Sequence, residues 1–369
     1  MPRLLPLPAI FLILQVQTAT AQLRDGRLFD PGVSMIEPAE GAPDVLAKML
    51  FTLGQWDVAY QEVRADTLHR SGPGLASITL MNRGHAIMER VYCAQCADSL
   101  DINTLSFLAF NTRANVWNLG EANGYTESIS VHTGDFEGDQ LVLRNAVRRG
   151  GGADVVMYRT EYTQADDGGF SVVTDVSTDF GGSWGLFRSK VYSRREEAED
   201  FLEGVSTYGE PDLTQPEEAR AFDFLIGTFD APMHFSFPDG REIDVPSTTT
   251  AVFAMNGKAI LEYGWYDVDQ SLPDAATSII RLYNRTMRRW ESIFMTNRGN
   301  GALFFGGSED GDQIVLSFFE TDLDYGPIQR YVFHDISEDE YHWYGAQSFD
   351  RGESYSKYWV IDFTRTDGP

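Results

Sequence analysis

The chain has 369 residues, 43% of them hydrophobic, 13% aromatic and 23% charged, with 34 Gly. That composition excludes intrinsic disorder and fibrous repeats and supports about two domains of roughly 150 residues each. The 29 Lys+Arg stand against 55 Asp+Glu, a formal net charge of −26, which disfavours nucleic acid and anionic lipid as partners and tolerates a neutral or basic ligand.

In chain order the first predicted element is an export segment, residues 1–21. Arg3 supplies the positive start, Leu4 to Val16 the apolar centre, and Ala19-Thr20-Ala21 a cleavage site before Gln22, as in a secretory signal peptide. The expected location is periplasmic or secreted. No later stretch approaches the length of apolar chain that a bilayer requires, so no membrane insertion of the mature chain is expected. Cys93 and Cys96 form the one C-x-x-C, and an oxidising compartment predicts a small local disulfide between them. Ala97 stands where haem attachment needs His, and no second Cys pair completes a zinc site.

The chain repeats itself. A shift of 173 aligns Gly54, Asp57, Gly84, Glu89, Asn111 and Trp117 with Gly227, Asp230, Gly257, Glu262, Asn284 and Trp290, and matches Tyr158 to Tyr331. The shift then falls to 171, aligning Ser177, Asp179, Gly181, Ser183 and Arg194 with Ser348, Asp350, Gly352, Ser354 and Arg365. A two-residue deletion at the turn Asp166 to Gly169 accounts for the change. The predicted units are 44–195 and 214–366, joined by a linker at 196–213.

Each copy opens with a predicted short helix. Asp44 caps Val45 to Leu53, and Thr214 with Glu217 makes a capping box before Ala219 to Ile226. Strands follow in the first copy at Ile78–Met81, Ala86–Tyr92, Thr104–Phe110, Gln140–Asn145, Val155–Tyr162 and Phe170–Thr178, with Gly, Asn and Asp at the breaks. A meander of eight or more antiparallel strands removes its edges by closing into a barrel. The fold class is therefore mainly β, two tandem antiparallel barrels each preceded by a short helix.

Leu50-Phe51-Thr52-Leu53-Gly54-Gln55-Trp56-Asp57 and Phe222 to Asp230 resemble the helix-into-first-strand signature, Gly-x-Trp, of lipocalin-like (calycin) barrels. Central Phe110-Asn111 to Trp117 and Tyr283-Asn284 to Trp290 resemble uncharacterised secreted bacterial families of that kind. The resemblance implies that last-strand Arg194 stacks on first-strand Trp56 and that Arg365 stands over Phe229 in the second copy. Ser177-x-Asp179-x-Gly181-x-Ser183-Trp184 and its partner at Ser348 to Tyr355 resemble the Asp-box of sialidase-type propellers. Two copies 171 apart do not make a propeller, so each is read as a hairpin turn.

Catalytic signatures are missing. The six His show no H-x-H or H-E-x-x-H, and neither a phosphate loop nor a nucleophile elbow is present; no metal and no cofactor is expected. The run Arg149 to Ala153 precedes a strand and reads as a hairpin tip. Glu89 and Glu262 lie mid-strand at equivalent positions, either lining a barrel as polar anchors or facing outward in cross-strand pairs, and periodicity does not choose between the two. The second copy is richer in rings, with Trp265, Tyr341, Trp343, Tyr344, Tyr355 and Trp359. This points to an apolar or aromatic small molecule bound mainly in residues 214–366, with Glu262, Tyr263, Trp265, Trp290, Tyr331 and Trp343 as the candidate ligand-binding residues. Two alternatives stand beside it. One is a hydratase, isomerase or cyclase using Glu89, Glu262, Tyr158 or Tyr331 as acid; the other is a haem-binding barrel with His334 or His342 as axial ligand.

Overall fold

The computed structural model describes residues 42–64, 67–82, 84–92, 102–148, 155–195, 210–266, 275–297, 301–318 and 327–366. The predicted signal segment, Cys93 and Cys96, the glycine run at 150–152 and most of the predicted linker lie outside the described residues.

Ten strands form the first barrel: β1 (Gly54–Arg64), β2 (Thr67–Met81), β3 (Ala86–Tyr92), β4 (Ile102–Asn111), β5 (Val116–Asn123), β6 (Ser128–Glu137), β7 (Gln140–Arg148), β8 (Val155–Gln164), β9 (Phe170–Ser177) and β10 (Gly185–Arg194). Each pairs antiparallel with the next, and β1 closes on β10. The second barrel runs β11 (Gly227–Asp230), β12 (Met233–Ser236), β13 (Glu242–Val245), β14 (Ser247–Ala254), β15 (Ala259–Tyr266), β16 (Ala275–Asn284), β17 (Arg289–Thr296), β18 (Leu303–Asp310), β19 (Gln313–Phe318), β20 (Ile328–His334), β21 (Glu340–Ser348) and β22 (Ser356–Arg365). Its first hairpin is split in both arms. Pro232 separates β11 from β12 and Pro246 separates β13 from β14, because proline has no N–H for the ladder. The break is sutured by Ala231, whose N–H donates to Ser247 at 2.9 Å and whose carbonyl accepts from the Ser247 hydroxyl. Both β11 and β12 pair with β22, so this barrel also closes, on ten strand directions. The protein is mainly β, two closed antiparallel barrels in tandem.

The ladders relocate the deletion in the repeat. Leu143 faces Thr160 in the first barrel, and Leu316, 173 residues on, faces Tyr331 in the second. Tyr331 therefore corresponds to Thr160 rather than to Tyr158. The shift has already become 171 before β8, so the two residues are lost between β7 and β8 and not at Asp166 to Gly169.

The predicted helices are 3₁₀ segments, Asp44–Thr52 before the first barrel and Glu217–Arg220 with Asp223–Leu225 before the second. The capping box at Thr214 and Glu217 does not form, because Asp212 takes both the Thr214 N–H and its hydroxyl, at 2.9 and 2.6 Å. These segments plug one end of each barrel. Trp56 donates from Nε1 to the Thr52 carbonyl at 2.8 Å, and the Arg194 guanidinium lies 4.6 Å from the centre of the Trp56 ring. In the second copy Arg365 sits 4.5 Å from the Phe229 ring and donates to the Ile226 and Phe224 carbonyls at 2.8 and 3.3 Å, closing orphan acceptors at the segment's end.

The two barrels are packed wall to wall. One buried cluster joins Met88, Leu105, Phe107 and Ile129 of the first to Leu261, Tyr263, Ile280 and Ile293 of the second. Glu291 accepts the Ile129 N–H at 2.9 Å across this seam, and Ser278 donates to Asn82 at 2.6 Å. At its centre Gly120 meets Ile293 so closely that a Cβ at 120 would lie 2.7 Å from Ile293 Cγ2.

Candidate functional site

Glu89 and Glu262 both point inward. In the first barrel Glu89 accepts from Lys190 at 2.7 Å, from Ser106 at 3.1 Å and from the Tyr192 hydroxyl. Ser106 is the cross-strand neighbour of Glu89 on β4, but β3 and β10 are not neighbours, so the bonds from Lys190 and Tyr192 cross the lumen. Arg188 likewise reaches across from β10 to β5 and grips Glu121 with two bonds, 2.6 and 2.9 Å. Glu62 accepts from Tyr60 and Arg64 at 3.1 and 2.8 Å. The three carboxylates are thus matched by Arg64, Arg188 and Lys190. Burial tends to raise the Glu121 carboxyl, but Arg188 and Lys190 outweigh it and hold the group below its ordinary value. His132, buried between Ser130 and Thr160, is pushed down to about 4 by burial despite the opposing pull of Glu121, so it is neutral at pH 7. This half of the lumen is a closed polar network.

The second barrel holds the same positions with different chemistry. Carried across by the ladder register, Glu62, Glu121, His132, Arg188 and Lys190 become Phe235, Phe294, Phe305, Trp359 and Ile361, while Glu262 stays and Arg281 appears where the first copy has Leu108. Val58 and Val91 become Ala231 and Gly264. Between these two small residues and the rings lies a partly open cavity of about 80 Å³. Its aromatic wall is Phe294, Phe305, Tyr331, Phe333, Trp343 and Trp359, and its polar wall is Glu262, Arg281 and threonines 248, 249 and 277. Tyr331 stacks on Trp343 at 5.2 Å and 21°. Trp359 stands edge-on to Trp343 at 4.9 Å. Gly345, the counterpart of Thr174, gives those rings room, since a Cβ there would be 3.2 Å from both Trp343 and Tyr331. Arg281 donates to Glu262 at 2.6 Å, so the ion pair is neutral as a unit.

Of the candidate ligand-binding residues, Glu262, Tyr331 and Trp343 line this cavity. The other three lie elsewhere. Tyr263 and Trp265 face outward, Tyr263 within the inter-barrel cluster and Trp265 against it. Trp290 lies at the plugged end, edge-on to Phe222 and donating to the Glu218 carbonyl at 3.1 Å. Tyr158 packs on Phe187 and toward His132 in the first barrel. His334 and His342 are outward residues bonded to Asp335 and Asp362, away from the cavity, so neither is placed as an axial ligand within it. Among the described residues no group of three or more His, Cys, Asp or Glu is arranged to hold a metal ion. In each Asp-box turn the aspartate accepts from both serines and a backbone N–H, Asp179 from Ser177 and Ser183, Asp350 from Ser348 and Ser354, around glycines at φ +87 and +93.

Sequence reasoning missed Arg281, Thr249 and Phe305 in the cavity and the whole charged lumen of the first barrel, and counted Trp359 among the rings of the second copy without naming it a ligand-binding residue. The signal was present. Aligned at the correct shift, Glu62, Glu121, His132 and Arg188 of copy one sit opposite the rings Phe235, Phe294, Phe305 and Trp359 of copy two.

No family model matches the chain, and no curated protein does. Solved structures similar to it include Rv2717c from M. tuberculosis, 11% identical, covering 41% of this chain and 99% of that one with a TM-score of 0.31. A protein of the DUF3598 family from Nostoc punctiforme is 10% identical over 86% of this chain and 98% of its own, TM-score 0.28. An S-type phycobiliprotein lyase from Guillardia theta is 13% identical over 41% and 97%, TM-score 0.29. The barrel assignment stands on the strand ladders of this chain.

Proposed function

We propose that this is an exported protein whose second barrel binds a small, mainly apolar or aromatic molecule, while the first barrel serves as its structural partner. The observation that carries the reading is the ring-lined cavity of about 80 Å³ in the second barrel, at the place where the first lumen holds paired charges. Small-molecule sites are apolar hollows with few polar groups. A closed apolar cavity of about 150 Å³ admits benzene, so a cavity half that size with an open side seats the leading part of a ring and leaves the remainder at the mouth beside half-buried Trp359.

The test is tryptophan fluorescence of the full mature chain titrated with small aromatic, alicyclic and long-chain lipophilic compounds. The expected result is saturable quenching by small-ring compounds that disappears in the Trp343→Leu variant. No saturable response from any class, or one that survives Trp343→Leu unchanged, would overturn the reading. Export is tested separately, by fractionating cells that make the full chain and sequencing the mature N-terminus, which is expected to start at Gln22.

A further inference from the structure

The polar wall of the second cavity is unbalanced. Arg281 is 3% exposed and pairs through Nη1 with Glu262; its Nε–H is buried with no hydrogen-bond partner among the described residues. Trp359, on the same cavity, also carries a buried Nε1–H with no partner among the described residues. On the acceptor side Glu262 is already engaged by Arg281 and Thr249. Two residues of the cavity wall therefore carry unused donors.

The fold does not demand this. Leu108 fills the position of Arg281 in the first barrel, and there Glu89 is neutralised by Lys190. Replacement of Lys190 by Ile361 explains why Glu262 needs a new cation. It does not explain a guanidinium with a spare donor on the same cavity as an indole with another, since each buried unpaired donor is costly. Charge narrows the complement. The Arg281–Glu262 pair is neutral, so an anionic head would bring an uncompensated charge into a ring-lined hollow, whereas a carbonyl oxygen meets both donors without one.

Resting on the binding reading above, we infer that the occupant is a small apolar ring bearing an uncharged hydrogen-bond acceptor of the carbonyl type, held by Nε–H of Arg281 and Nε1–H of Trp359. The probes are acetophenone, ethylbenzene and benzoate, three molecules of similar size that differ in acceptor and charge, titrated into the full mature chain by calorimetry. Acetophenone is expected to bind about tenfold more tightly than ethylbenzene, the effect of one net hydrogen bond, and more tightly than benzoate. Its carbonyl stretch is expected to move to lower frequency on binding. In the double variant Glu262→Gln/Arg281→Met, which leaves no unpaired charge, the preference and the frequency shift are expected to fall to what Trp359 Nε1–H alone supplies while ethylbenzene still binds, and adding Trp359→Phe is expected to abolish both. Glu262→Gln alone frees the positive charge and is expected to turn the preference toward benzoate. Equal binding of acetophenone and ethylbenzene, or a preference undiminished in the double variant, would overturn the inference and leave the binding reading standing. Failure of all three probes to bind would overturn both.

Discussion

Arg188→Met removes one half of the bidentate pair that spans the first lumen. Both side chains are nearly inaccessible, 6% exposed for Arg188 and 7% for Glu121, with bonds of 2.6 and 2.9 Å, so solvent screening is weak and the remaining carboxylate has no route to water. Breaking such a pair costs about 3–5 kcal/mol, which for a domain of this size lowers the melting temperature by roughly 6–20 °C. The assay is thermal and urea unfolding of Arg188→Met, Glu121→Leu and the double variant. Removing both partners is expected to recover most of the loss, because the second copy tolerates Phe294 and Trp359 at these positions and apolar replacement of a buried pair is commonly neutral. A pH signature separates charge from packing. With Arg188 gone, Glu121 keeps burial without its main counter-ion and takes up a proton more readily, so the gap between Arg188→Met and wild type is expected to narrow from pH 8 to pH 5. A single-variant cost below about 1 kcal/mol, the range of exposed pairs, or a pH-independent gap would refute the reasoning.

His132 has a folded pKa of about 4 against an ordinary 6.5, so the unfolded chain binds the extra proton between those values and stability falls by roughly 3 kcal/mol as pH drops from 6.5 to 4. His132→Phe, the residue of the second copy, is expected to flatten that window in urea titrations, and an unchanged slope would count against it. Gly120→Val drives a side chain into Ile293 and is expected to cost about 1–3 kcal/mol, partly restored by Ile293→Ala. A melting temperature equal to wild type would show that the barrels do not need that close approach.

The strands were legible because their turns are marked by Gly, Asn and Asp and because closure leaves few topologies for a ten-strand meander. The interior was not. Every residue of β3 is buried, since its inner face lines the lumen and its outer face is sealed by the other barrel. Period-two reasoning therefore had no polar side from which to read the direction of Glu89, or of Glu262 beside Leu261 and Tyr263. The same seam explains why Tyr263 and Trp265 resembled lining residues, for a wall shared by two barrels is as apolar as a cavity. The matching tyrosines at 158 and 331 concealed the true register by a coincidence of residue type that only the ladder, pairing Tyr331 with Leu316, could expose.

Ring substitution alone does not open a cavity, because aromatic side chains fill at least as much space as the charged groups they replace. The space in the second barrel traces to two truncations, Val58 to Ala231 and Val91 to Gly264, both on the cavity wall. Restoring the first-copy residues with Ala231→Val and Gly264→Val is the direct test. A Cβ at 264 would lie 2.4 Å from Thr277 Oγ1, a hydroxyl that turns about χ1, and the first copy already accommodates Val91 alongside the equivalent Thr104. Each added buried methyl group contributes about 0.8 kcal/mol, so the double variant is expected to melt at or above the wild-type temperature while its saturable ligand response is lost. The stability readout matters, since loss of binding with a large fall in melting temperature would show overpacking instead of filling. A stable double variant that still binds small-ring compounds with wild-type affinity would place the ligand outside this cavity and refute the assignment.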